Sequence, residues 1–235
     1  MDLAEIGAPG ETSVPFALRE GVERGVTLAD QVYGHVQRGL LLGAWLPGAR
    51  LSMRQIATEL SISVTPVREA LLRLVNEGAL AAVANGSIQA PVLRRGDYEE
   101  IVRIRSALEP MAGEIAARLI TPAEIDDLNA RNEWLHTTLA ENRFEDALPI
   151  DTGFHLAVYR AARQPLLLSM IETLLTRAGP TRTQLPGIYR KSLVGYRHHR
   201  RIIEGLRARD GAAVREELAG DLSDGSAQLL RNLYP

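Results

Sequence analysis

The stretch Ser63–Leu71, with the sequence SVTPVREAL, decides how the first part of this chain folds. Pro66 suits the first turn of a helix, where the N–H group that proline lacks is not needed. Gly78 stands where such a helix would end in left-handed backbone. Three apolar residues, spaced by four and three positions, form the buried stripe of the predicted helix: Val67, Leu71 and Leu74.

Two more helices are predicted before this one. Apolar residues recur at every fourth position over 27–42, which indicates a helix there. A short helix follows around 53–60, and Ser52 is placed to cap its N-terminus. Either Ser63 or Thr65 caps the third helix, and the spacing alone does not decide between them.

A β-hairpin is predicted after the third helix. Short β-like runs at 80–83 and 87–92 flank Asn85-Gly86, a dipeptide that favours tight hairpin turns. Residues 26–95 contain seven arginines against four acids, so this segment is basic within a chain of net charge −2. Three helices and a hairpin on a basic segment predict a winged helix-turn-helix.

The remainder of the chain is predicted to be helical almost throughout. The expected helices lie near 97–118, 122–142, 144–162, 165–177, 190–208 and 211–232. Breakers at Gly179-Pro180 and Pro186-Gly187 predict a loop over 178–187, which we interpret as a lid or a hinge. Pro149 predicts a kink or a break. The fold class is therefore mainly α, with a six- or seven-helix bundle after the winged domain.

Composition limits the remaining possibilities. The chain has 235 residues, of which 46% are hydrophobic and 24% charged, as in ordinary globular proteins. It contains no cysteine, which excludes disulfides, thiolate zinc sites and thiol nucleophiles. No apolar run approaches a membrane span, and the acidic first 25 residues do not resemble a secretory signal. We expect a cytoplasmic protein with a flexible arm (1–25), a DNA-binding domain (26–93) and a helical domain (97–235).

Candidate DNA contacts follow from what the third helix leaves exposed. In a helix-turn-helix the second helix of the pair enters the major groove. The candidate DNA-contacting residues lie on the groove-facing side of this helix, at the start of the bracing helix and at the hairpin tip. They are Arg54, Val64, Thr65, Arg68, Asn85 and Gly86. Arg68 is suited to a guanine or a phosphate. The alternative is that Arg68 pairs with an acid of its own surface, such as Glu69 or Glu77.

A candidate metal pair lies in the helical part. Asp151 and His155 are four residues apart on a predicted helix, so both side chains leave the same face. A carboxylate and an imidazole at this spacing are able to bind one cation, but most such pairs are surface residues. Further histidines are needed as ligands, and His198-His199 at the start of a later predicted helix is a candidate source.

Residues 28–92 resemble the N-terminal domain of the GntR superfamily of bacterial transcription regulators. The matching stretches are Leu46–Leu51, Ile56–Leu60, Ser63–Leu71 and Arg73–Gly78. The resemblance places the family's DNA contacts on Arg54, Thr65, Arg68 and Gly86. Val64 departs from the family, which usually has arginine there, so the sequence preference is expected to differ.

Residues 97–235 resemble the FCD ligand-binding domain, the helical branch of that superfamily. The resemblance is carried by Arg105–Glu109, Asp151–His155, His199–Glu204 and Asp210–Val214. It implies that Asp151, His155 and His199 bind a divalent metal and that Arg105 faces the pocket of a small organic acid. The family's remaining ligand, usually histidine, falls on Asp221. Zinc, manganese or nickel are the expected ions, and the second carboxylate favours the harder ones.

Taken together, the expectation is a metabolite-responsive transcriptional regulator with no catalytic residues. It would bind a palindromic operator on double-stranded DNA as a homodimer, without a membrane partner, and act as a repressor that a carboxylic acid releases. Two alternatives stay open. One is a metal-dependent enzyme on the helical bundle, and the other is an effector-binding module with weakened DNA binding, suggested by Val64.

Overall fold

The computed structural model of the chain describes residues 27–83 and 86–233. The predicted arm (1–25) and the predicted contact Asn85 lie outside the described residues. The described chain divides into two compact units. One contains the residues up to Leu93 together with Leu175–Thr181, and the other contains Arg94–Leu174 and the residues from Arg182 onward. The domain limits 26–93 and 97–235 remain a proposal.

The N-terminal unit is a winged helix-turn-helix. Its elements are, in chain order, α1 (Leu28–Leu41), β1 (Arg50–Leu51), α2 (Met53–Glu59), α3 (Val64–Asn76), β2 (Ala81–Ala82) and β3 (Ile88–Gln89). The strands form an antiparallel sheet of order β1-β3-β2. The sequence pattern predicted the hairpin but not β1, because a strand of two residues has no periodicity to detect.

The caps and the core explain why these helices begin and end where they do. Ser52 accepts a hydrogen bond from the backbone N–H of Gln55 at 3.2 Å, which confirms it as the cap of α2. Ser63 occupies the N-cap of α3, although its side chain makes no capping hydrogen bond. Gly78 has φ +70°, the left-handed backbone predicted after α3. The stripe Val67, Leu71 and Leu74 is completely buried in the core of this unit.

The chain after the wing is helical. Its helices are α4 (Arg95–Leu119), α5 (Pro122–Ala140), α6 (Phe144–Ala161), α7 (Pro165–Arg182), α8 (Gly187–Lys191), α9 (Val194–Ala208) and α10 (Gly211–Leu233). All belong to the second unit except the Leu175–Thr181 part of α7. Helix α10 packs against α4 and α9, α5 against α6 and α9, and α4 against α6. The mainly α fold with a seven-helix second part is confirmed. Within the described residues, no helix combines the length and apolarity needed to cross a membrane.

Two details of the helical prediction are wrong. The loop over 178–187 begins only after Arg182, because α7 continues through Gly179-Pro180. Proline in a helix interior removes one backbone hydrogen bond, but Ala178 and Thr181 on this turn are buried, and their burial offsets that loss. The segment predicted as one helix near 190–208 is two, α8 and α9, separated at Leu193, which has φ +56°. Of the two possibilities predicted at Pro149, the break does not occur, since α6 is continuous there.

Candidate metal centre and DNA-binding surface

Three predicted metal ligands lie together in the helical unit. Asp151 and His155 stand one turn apart on α6, and His199 comes from α9. Their ligand atoms all lie within 4.8 Å of one another. His155 Nε2 is 3.1 Å from His199 Nε2, and Asp151 Oδ1 is 3.6 Å from His199 Nε2. The spacing of Asp151 and His155 placed them on one helix face, and the packing of α9 supplies the third ligand.

Asp221 approaches the same point from α10. Its Oδ2 lies 3.0 Å from His155 Nε2, and its side chain is largely buried. Asp221 thus contacts His155, one of the three clustered residues, and the candidate donors are two carboxylates and two imidazoles. Oxygen and imidazole nitrogen donors in this number suit manganese, zinc or nickel. The residues present fit a divalent cation.

Hydrogen bonds fix the orientation of both imidazoles. His199 Nδ1 lies 3.1 Å from Asn132 Oδ1, an acceptor, so the proton is on Nδ1. The Tyr159 hydroxyl donates its proton to Glu109 Oε2 at 2.8 Å, so its oxygen accepts from His155 Nδ1, 3.4 Å away. In both rings Nδ1 carries a hydrogen and Nε2 faces the common point. Hydrogen bonding of one ring nitrogen is how proteins usually prepare the other as a metal ligand.

The protonation of the cluster follows from its charges. Burial disfavours a charged His155, but its hydrogen bond to Asp221 and the charges of Asp151 and Asp221 outweigh burial and raise the pKa of His155. Burial and the neighbouring charge of His155 lower the pKa of His199 to about 4. Burial raises the pKa of Asp221, but the hydrogen bond from His155 and the charges of the neighbouring histidines together outweigh it and lower the pKa to about 2. The two carboxylates thus favour the protonated form of His155, while burial favours the neutral form of His199.

An arginine that the sequence analysis missed borders this cluster. Arg182, the last residue of α7, donates to Asp151 Oδ2 at 2.9 Å and to Thr152 Oγ1 at 3.0 Å. The predicted loop concealed it, since α7 was expected to end before residue 178. The guanidinium of Arg182 therefore contacts Asp151, a predicted metal ligand.

Arg105, the predicted effector residue, lies within α4 and is buried. Its guanidinium donates to both carboxylate oxygens of Glu109, at 2.5 and 3.3 Å. Through Glu109 and Tyr159 it is linked to His155. Glu109 and Tyr159 were not predicted, although each follows a predicted site residue by four positions on the same helix. Direct contact between Arg105 and an effector remains a proposal.

The predicted DNA contacts that the structure describes are all exposed in the N-terminal unit. Val64, Thr65 and Arg68 are exposed on α3, and Arg54 is exposed on α2. Gly86, with φ +72°, lies at the tip of the wing, where nothing among the described residues lies within 4 Å of a Cβ added there.

The side chain of Arg68 makes no ion pair or hydrogen bond with the residues that the structure describes. One acid suggested as its surface partner is already engaged. Arg73 donates to Glu77 at 3.2 Å, and the Tyr33 hydroxyl donates to the same carboxylate at 2.6 Å. The side chain of Arg54 also has no partner in the described part of the chain. These arginines thus remain available for an anionic ligand.

A winged helix-turn-helix followed by a helical unit defines a class of DNA-binding transcriptional regulators, and comparison with known proteins identifies the family. Residues 28–89 match the bacterial regulatory proteins of the gntR family, and residues 100–223 match the FCD domain. The chain belongs to the GntR family and carries an FCD domain. Proteins of this family are transcriptional regulators and not enzymes.

Individual relatives agree with this assignment. The chain is 34% identical to the HTH-type transcriptional regulator McbR of Escherichia coli K12 over 204 residues, covering 85% of this chain and 91% of McbR. The solved structure of E. coli McbR/YncC superimposes with a TM-score of 0.81 at 31% identity, over 88% of this chain and 99% of that one. The HTH-type transcriptional repressor RspR of E. coli K12 is 25% identical over 199 residues, 83% of this chain and 85% of RspR.

Proposed function

We propose that this transcriptional regulator is a metabolite-responsive repressor. Its winged unit binds a palindromic operator as a homodimer, and its helical unit binds a small carboxylic acid beside a divalent metal. The observation that carries the proposal is the cluster of Asp151, His155 and His199, with Asp221 in contact with His155 and both imidazoles oriented by hydrogen bonds. Such a buried donor set costs stability to assemble, and it is typical of a ligand site.

The metal would be held by His155 Nε2, His199 Nε2 and the carboxylates of Asp151 and Asp221. A cation bound there would supply a Lewis-acidic centre for a carboxylate oxygen of the effector. His155 Nε2 would have to be free of a proton to bind it, so metal affinity would depend on pH. Tyr159 and Asn132 hold the two rings in the orientation that presents Nε2.

Arginines supply the second half of the acid site. Arg182 already binds one carboxylate, that of Asp151, and its planar guanidinium suits a second carboxylate bidentately. Arg105 is the residue that the family resemblance assigns to the effector. Because Glu109 occupies its guanidinium, Arg105 contacts an effector only if that ion pair opens. We therefore assign the first contact with the acid to Arg182.

The DNA site is proposed on α2, α3 and the wing. Exposed and unpartnered, Arg54 and Arg68 would contact phosphate or guanine, and Thr65 and Gly86 lie beside them on the predicted interface. Asn85 completes the predicted wing tip. The name of the relative RspR, a transcriptional repressor, supports repression as the direction of regulation.

Elemental analysis and DNA binding test this proposal together. We expect about one divalent ion per chain in the purified protein and none in the double variant Asp151→Ala/His199→Ala. The metal-loaded wild type should bind operator DNA with an affinity that falls steeply with salt, and a screen of small carboxylic acids should identify one that releases the DNA. Arg182→Met should keep the metal and lose the response to the acid.

Each alternative predicts a different result. Turnover of a bound acid by the metal-loaded protein would favour the enzyme. Absence of salt-dependent DNA affinity would favour the effector-binding module. Absence of metal from both the wild type and the double variant would refute the coordination site.

A further inference from the structure

The exposed face of α3 carries two apolar side chains, Val64 and Leu72, with the guanidinium-bearing residue Arg68 between them in sequence. Val64, Arg68 and Leu72 recur at four-residue intervals and therefore share one side of the helix. Val64 is 36% exposed and Leu72 is 47% exposed, and neither belongs to the core that buries the opposite stripe of the helix. Val64 is the first residue of α3, while Leu72 lies about 12 Å further along the axis.

The charge beside Val64 indicates what covers it. Arg68 lies one turn further along α3, and Arg50 and Arg54 are exposed elsewhere in the same unit; none of the three has a side-chain partner within 27–83 and 86–233. An apolar group next to an unpaired arginine suits a polyanion that also offers an apolar contact. Double-stranded DNA meets both requirements, because the major-groove edge of an A·T pair carries the C5 methyl group of thymine. The N-terminal residues of a recognition helix are those that contact base edges.

We propose that Val64 selects thymine in each operator half-site by packing on its C5 methyl group, next to the base or phosphate that Arg68 contacts. This inference rests on the proposed function, in which α3 enters the major groove. In this proposal Val64 itself recognises a base, whereas comparison with the arginine usual in the family indicated only the loss of a polar contact. Leu72 lies too far from the helix N-terminus to contact the same base pair.

Thymine and uracil differ only by this methyl group, which gives a direct test. The full-length wild-type protein first selects its operator from a randomised duplex library. Each thymidine of the selected half-site is then replaced by deoxyuridine, at the same position in both half-sites, and affinities are measured by fluorescence anisotropy at constant salt. We expect one position at which the replacement weakens binding about fourfold per half-site, the value of one buried methyl group.

Two variants locate the effect on the protein. In Val64→Ala, the thymidine and deoxyuridine operators should bind equally, while Leu72→Ala should retain the wild-type difference. Both side chains are exposed on α3, so the variants are expected to fold, and circular dichroism with thermal unfolding checks this. Val64→Arg should change the selected base pair towards guanine, the preferred partner of arginine.

The possible outcomes distinguish failure of this inference from failure of the proposed function. If library selection yields no motif, the proposed operator binding fails, and the inference fails with it. A clear motif with no position sensitive to deoxyuridine overturns the inference alone. So does a methyl effect that persists in Val64→Ala, or an altered oligomeric state of Val64→Ala with unchanged DNA affinity, since Val64 would then contact protein.

Discussion

Replacing Tyr159 with phenylalanine should weaken both the fold and the proposed metal site. The hydroxyl of Tyr159 is the sole atom removed, and the ring keeps its buried position on α6. Glu109 loses the hydrogen bond that it accepts at 2.8 Å. His155 loses the oxygen that faces its Nδ1 at 3.4 Å.

The two losses have different magnitudes. A hydrogen bond to a charged group contributes about 1.5–3 kcal/mol to stability. Glu109 keeps its ion pair with Arg105, so its carboxylate is not left without a partner, and we expect the lower end, about 1.5 kcal/mol. The long contact to His155 contributes little to stability, but it fixes the tautomer that presents Nε2. Removing such an orienting partner typically lowers metal affinity about 10- to 100-fold.

Separate measurements distinguish these effects. Urea unfolding of chelator-treated protein gives the free energy of unfolding, and competition titration with a chromogenic chelator gives the affinity for zinc or manganese. The matched control is Tyr196→Phe, which removes an exposed hydroxyl that donates to Glu133 at 3.1 Å and should change neither quantity appreciably. Unchanged metal affinity in Tyr159→Phe would refute the argument that Tyr159 orients His155.

Three further predictions concern single residues. Asp221→Asn should lower metal affinity at least tenfold while leaving the fold intact, as titration and circular dichroism would show; wild-type affinity would remove Asp221 from the ligand set. Gly39→Ala should destabilise the protein by about 1–3 kcal/mol in urea unfolding, because its Cβ would lie within 2.4 Å of the Trp45 ring. Gly34→Ala on the same helix is the control, because no described residue lies within 4 Å of a Cβ added there. It should instead stabilise the protein by about 0.5–1 kcal/mol. Equal effects of the two substitutions would contradict the packing described. Tyr189→Phe should raise the thermal midpoint, since the Tyr189 hydroxyl is buried without a hydrogen-bond partner among the described residues; a lowered midpoint would show that it has one.

The sequence was informative where a local rule applies. The stripe of α3, the Ser52 cap and the glycine after the helix each depend on neighbours in the chain, and all three were predicted. Asp151 and His155 were paired for the same reason, since four residues make one helical turn. His199 and Asp221 came from resemblance to a family, because no spacing rule relates residues on different helices.

The features that were missed depend on packing. Asn132 contacts His199 across 67 positions of sequence, and no periodicity reveals that distance. Strand β1 exists because β3 pairs with it. Arg182 was missed because Gly179-Pro180 is typical of a helix end, so α7 was predicted to stop before it. The buried turn around this dipeptide keeps α7 helical as far as Arg182.

The position of Arg182 couples the two proposed ligands. One carboxylate, that of Asp151, faces both Arg182 and the imidazole of His199, at 2.9 and 3.6 Å. In the proposed site, a cation at the imidazoles would attract Asp151 and weaken its hold on Arg182, which would leave the guanidinium freer to bind an acid. By linkage, an acid bound to Arg182 would then raise metal affinity by the same factor by which the metal raises acid affinity. Arg105 does not provide this coupling directly. Glu109 neutralises the charge of Arg105 in the core, and Glu109 and Tyr159 lie between Arg105 and His155. The arrangement therefore favours a regulator in which metal and acid are bound together.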